Sequence, residues 1–85
     1  MWKNRGIIEE GAYTFEAGAY IDIPVTIGGE LTISISAIAP DKKWRMGWND
    51  EHIELLASNI EDAKKEAISL VLKDLKMAVS ILEEY

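Results

Sequence analysis

The sequence contains no cysteine, which removes both a disulfide framework and any thiolate-bound metal, the devices on which most small secreted domains rely. A reducing cytoplasm is the simplest setting. It has one histidine, His52, and no serine nucleophile elbow, P-loop or His-Glu-x-x-His helix. The expectation is a non-enzyme with no catalytic residue, cofactor or metal. Nor does any apolar run approach the roughly 20 residues of a membrane span. Met1 to Gly6 carries charge but no apolar core of a signal sequence, so a soluble chain is expected. Repeats, low-complexity tracts and Pro/Ser-rich linkers are also missing, and residues 1–85 read as a single domain.

What is present is enough apolar material for one core: 85 residues, 48% of them hydrophobic. The formal net charge of -6 repels phosphate backbones and anionic lipid. A protein partner with a basic surface is therefore expected, rather than direct contact with nucleic acid or a membrane.

The chain changes character in its middle. Before Pro40 it is rich in β-branched residues and holds most of the glycines; after Ser58 it is Ala, Leu, Ile, Lys and Glu, with no Gly or Pro. That contrast predicts an α+β fold: a small antiparallel sheet of three to four strands packed on one long C-terminal helix. Ile21, Ile23, Val25 and Ile27 alternate with polar residues or Pro24, as do Leu31, Ile33, Ile35 and Ala37 with Thr32, Ser34 and Ser36. Matching the apolar faces across Gly28-Gly29 calls for a three-residue Gly28-Gly29-Glu30 loop that pairs Ile27 with Leu31 and Val25 with Ile33. Pro24, lacking an N–H, belongs on an edge or at a bulge. A short strand around Ala12 to Phe15, a strand end before Pro40 and a polar turn at Asp41 to Lys43 complete this half. A third strand, Trp44 to Trp48, sets Trp44, Met46 and Trp48 on one face. Residues 53–56 suit either a helical turn or a fourth strand.

Ser58-Asn59-Ile60-Glu61 matches a capping box with Ser58 as N-cap. On the helix that follows, Ile60, Ala63, Ala67, Val71, Leu75, Ala78, Leu82 and Tyr85 centre an apolar arc of roughly 220°. This is wider than one sheet contact needs. Residues 1–19 and 49–57 are one candidate cover for the flanks; another chain is the other, through positions such as Leu72 and Ile81.

Asp50, Glu51, His52 and Glu54 form the one cluster where an acid/base or metal site can be imagined, but a solvated loop is the simpler reading. Trp44 and Trp48, large aromatics on a strand, are core by default and interface anchors if exposed. Candidate partner contacts are Asp22, Glu30, Asp50, Glu51 and Glu54, with Trp44 and Trp48 as anchors.

The strand Trp44-Arg45-Met46-Gly47-Trp48, followed by a helix opening Ser58-Asn59-Ile60-Glu61-Asp62-Ala63, resembles small β-then-α proteins of phages and mobile elements, among them anti-CRISPR proteins. The resemblance implies a stoichiometric blocker acting in the host cytoplasm, which masks the nucleic-acid-binding surface of a defence protein. The helix opening is also similar to that of the β-β-β-α domain of HicB-type antitoxins, which implies a homo-oligomeric structural or regulatory domain instead.

Overall fold

The computed structural model describes residues 1–6, 8–10, 13–39 and 42–85. Ala12, Pro40 and Asp41, which the sequence assigns to a strand start, a strand end and a turn, lie outside these residues. The element order is β1 (Lys3–Arg5), β2 (Ile8–Glu10), β3 (Tyr13–Val25), β4 (Gly29–Ala39), β5 (Lys43–Trp48), β6 (Glu51–Glu54) and α1 (Ile60–Leu82). All strands are antiparallel to their neighbours in the order β1-β3-β4-β5-β6, with β2 pairing β3 as well. The α+β arrangement of one antiparallel sheet against one C-terminal helix is the one that the composition implies. The sheet is wider than three or four strands, because the N-terminal segments join it at one edge and Glu51–Glu54 at the other.

Alternation assigns the two faces. Directly opposed residues share a face, and the pairs Ile21↔Ile33, Ala19↔Ile35, Ile35↔Met46 and Ala37↔Trp44 form an apolar layer under the helix. Ile35 and Met46 are the largest fully buried side chains, and Ala63, Ala67 and Val71 close over them from α1. The opposite face carries Tyr20, Asp22, Thr32, Ser34, Arg45, His52 and Glu54, by the same pairing.

The β3–β4 hairpin departs from the expected register. Its loop has three residues, but they are Thr26, Ile27 and Gly28, and the ladder pairs Val25 with Gly29 and Ile23 with Leu31. The reason is the last loop position, which in three-residue hairpins takes a left-handed backbone. Gly28 occupies it at φ 90°, where the expected loop would have required this of Glu30. Moving the loop by two residues shifts each pairing by four and keeps every side chain on its face, so apolar still meets apolar. Ile27 is left in the loop, 89% exposed. Pro24 lies where β3 has run past its last β1 partner, Tyr20, and its missing N–H costs no ladder bond on that open side. Between Glu16 and Ala19, one extra β3 residue forms a β-bulge against β4.

Residues 51–54 resolve as a strand. Asn49 and Asp50 both have positive φ, 51° and 62°, as a two-residue type I′ turn requires, and they fold β6 back so that Trp48 opposes Glu51. The helix start moves by one residue from the expected cap. Asn59, not Ser58, is the N-cap; its Oδ1 accepts from the Asp62 amide at 2.9 Å, and its Nδ2 donates to the Asp62 carboxylate at 2.9 Å. Glu61 instead pairs with Lys64. The Glu66 carboxylate accepts from the amides of Leu56 and Ala57 at 2.9–3.0 Å and fastens the incoming chain to the first turns of α1.

The helix outruns its support. Its 23 residues span about 34 Å, and no residue after Val71 is buried. The molecule measures 46 × 25 × 24 Å with a radius of gyration of 14.0 Å, against about 12 Å for a compact chain of this length.

Candidate protein-interaction site

At the end of the sheet where β5 turns into β6, four acidic side chains gather around one concavity of about 490 Å³. Glu30 comes from the start of β4, Asp50 from the type I′ turn, Glu51 from β6 and Asp74 from α1. Thr32, Ser34, Gly47 and His52 supply another wall, and no Lys or Arg is among its described lining residues. Gly47 keeps this wall open: a Cβ there would stand 2.6 Å from Ser34 Oγ.

Trp48 organises the site. It is half-buried, and its indole Nε1–H donates to Asp74 Oδ2 at 2.8 Å, tying the sheet rim to the helix. On the helix side of that bridge lies a second hollow of about 290 Å³, its apolar wall made by Met46, Ile53, Leu70 and Val71 with Trp48, and its rim by Asn49, Glu51 and Asp74. An acidic surface therefore adjoins an apolar slot. Such a pair suits a long basic side chain, whose stem packs on apolar surface while its head stays among charges and water. An aromatic ring beside the slot adds attraction for a cation.

The seven residues singled out in the sequence are distributed unevenly. Glu30, Trp48, Asp50 and Glu51 come together here. Asp22 lies on the open face of the sheet, accepts from Thr32 Oγ1 at 2.8 Å and stands 3.8 Å from Lys3 Nζ. Glu54 stands 3.5 Å from Lys43 Nζ. Both carry a cation of their own as neighbour, which reduces what they offer a partner. Trp44 is only 7% exposed; of the two roles open to it, core or interface anchor, the structure gives it the core one, with little surface left for a partner.

Strand alternation also divides the Asp50 to Glu54 cluster. Glu51 opposes Trp48 on the helix side, whereas His52 opposes Gly47 on the other. Among the described residues, no three His, Cys, Asp or Glu side chains come together in a way that could hold a metal ion. Asp74 was missed in the sequence, although it had a signal: it is an acid in the middle of the apolar helix arc, between Val71 and Ala78.

No family model, curated protein or solved structure matches this chain.

Proposed function

We propose that the chain is a non-enzymatic protein-binding domain whose acid-lined sheet end receives a basic surface, most concretely as a phage or mobile-element inhibitor that masks the nucleic-acid-binding face of a host protein. The observation that carries this reading is the convergence of Glu30, Asp50, Glu51 and Asp74 on one concavity without a lining cation, next to an apolar slot. Nucleic-acid-binding faces are rich in Lys and Arg, which is the chemistry that this end complements. Opposed charge speeds encounter and selects partners more than it sets affinity, so binding should weaken steeply with salt.

The test is capture of the partner from host lysate, followed by affinity measurements over a salt series with Asp50→Arg and Glu51→Arg chains. Each reversal is expected to weaken binding at least tenfold and to flatten the salt dependence. Binding that ignores both salt and the two reversals sinks the reading.

A further inference from the structure

The apolar side chains of the helix beyond its sheet contact are not scattered. Ile68, Leu72, Leu75, Val79 and Leu82 recur at spacings of four, three, four and three, the seam of a left-handed helix pair. This seam lies about 100° around the helix from the buried stripe of Ala63, Ala67 and Val71. Its members are 37–70% exposed. It is thus a second face, available without disturbing the first.

The side toward which the seam points follows from its opposite flank. Glu66 reaches the amides of Leu56 and Ala57, just past β6, and Leu70 lines the hollow with Ile53 of β6. The seam therefore looks the other way, over β3 and β1. There the helix side of the sheet is only partly covered: Trp2, Ile21 and Ile23 are half-buried against the edge of the core, and Leu31 is 38% exposed. A sheet of five columns is about 20 Å across, while one helix covers about 10 Å. Seam and shelf together make an apolar corner with room for a second helix.

The C-terminal half of this same helix has the properties of an occupant. Besides the seam it exposes Met77 at 58% and Ile81 at 51%, so its apolar arc is wider than one contact needs and leaves only the side of Lys73, Lys76 and Ser80 polar. Its charges are polarised as well. Within this half Asp74 is held by the Trp48 indole, and the other charges are ordered, Lys73 and Lys76 preceding Glu83 and Glu84, so an antiparallel pair sets cations against anions and opposes the helix dipoles. A parallel pair would set like against like. From these observations we infer that the chain forms a two-fold dimer in which each C-terminal helical half lies antiparallel in the partner copy's corner between seam and shelf. The contact is isologous and closes on itself. It adjoins the acid-lined end of the sheet, whose lining includes Leu31 and Asp74, and variants at Leu82 on one side and at Asp50 and Glu51 on the other tell the two surfaces apart.

The test is sedimentation equilibrium of the full chain over a wide concentration range, with Leu75→Glu and Leu82→Glu as variants. The expected result is a reversible dimer that each variant weakens at least tenfold, with the far-ultraviolet circular dichroism unchanged and with Asp50→Arg and Glu51→Arg chains still dimeric. Leu82 is 70% exposed and beyond the sheet contact, so its variant keeps the test valid should Leu75→Glu fail to fold. Orientation is read from Leu82→Cys in this otherwise cysteine-free chain. In the antiparallel pair the introduced thiols lie about 15 Å or more apart along the axis, beyond the roughly 7 Å reach of a disulfide. A monomer at every concentration, including one that captures only a foreign helix, overturns the inference. So does a dimer indifferent to both glutamates, or ready oxidation of Leu82→Cys to a linked dimer.

Discussion

The two halves of the C-terminal helix are alike in composition and opposite in circumstance. Residues 60–71 place Ala63, Ala67 and Val71 against the sheet, and Glu66 holds the chain that leads in. Residues 72–82 bury nothing, although they are at least as apolar. Hydrophobic content alone therefore does not decide which part of a helix supports the fold. The contact partner decides, and here the sheet stops supplying one at about the level of Asp74. The first half is built for this chain's own core. The second half keeps an apolar surface that the described residues of this chain leave exposed.

The sharpest way to break this comparison is to place the same charge in each half. Val71→Asp buries a carboxylate at a position that is 3% exposed, and should cost about 3 kcal/mol or more. Val79→Asp, at a position 53% exposed, should cost less than about 1 kcal/mol. Urea unfolding in solutions dilute enough to keep chains apart measures both. Equal losses at the two positions would mean that the distal half is packed in the isolated chain after all.

Next in size is the fastening of the first half. Glu66 accepts two amide hydrogens from residues 56 and 57, and charge-assisted bonds of this kind are the stronger ones. Glu66→Gln keeps the size of the side chain but loses the charge and one acceptor oxygen, and should lower stability by about 1–2 kcal/mol. Glu83→Gln, near the far end, should change it by less than about 0.5 kcal/mol. If the two variants unfold at the same urea concentration, the 55–57 segment is not held as described.

The buried faces were legible in the sequence, but the end of burial at Val71 was not, since the apolar period runs on to Leu82; the parts that were missed share a cause. Alternation in Leu31 to Ala37 and the period of Ile60 to Val71 reveal which faces are buried, because burial repeats along an element. Repetition fixes parity but not position. The loop of the β3–β4 hairpin thus moved by two residues, and each pairing by four, without changing a single face; what chose its position was the left-handed backbone of Gly28, next to a second positive φ at Gly29. β6 was ambiguous because Asn49-Asp50 looks like an interruption until both residues are seen at positive φ, folding the strand back. The candidate site was half legible for a similar reason. Acidic residues announce themselves one at a time, but only the turn and the helix bring Glu30, Asp50, Glu51 and Asp74 together.

The helix start shows the same limit at the scale of one residue. Ser58 and Asn59 are both good caps, and each has an acid three residues later; the structure uses Asn59. Asn59→Ala should cost about 1 kcal/mol. Ser58→Ala should change stability by less than about 0.5 kcal/mol. Reversal of that order in thermal or urea unfolding would return the cap to Ser58.

The smallest expected effect lies on the boundary between the halves, at the Trp48–Asp74 bridge. The bond is 2.8 Å long but solvent-exposed, so Trp48→Phe should cost only about 0.5–1 kcal/mol in global stability. Its local consequence is more informative. Asp74 is one turn beyond Val71, the last buried residue of the helix, and among the described residues the bridge is the last side-chain hydrogen bond between sheet and helix. Without it, fraying from the free end should advance toward Val71, and amide exchange at residues 72–76 should speed up several-fold, while residues 63–71 stay protected as long as the core holds. Exchange that rises equally along the whole helix would show that the halves form one cooperative unit. Exchange that does not change at all would place the boundary elsewhere than Asp74.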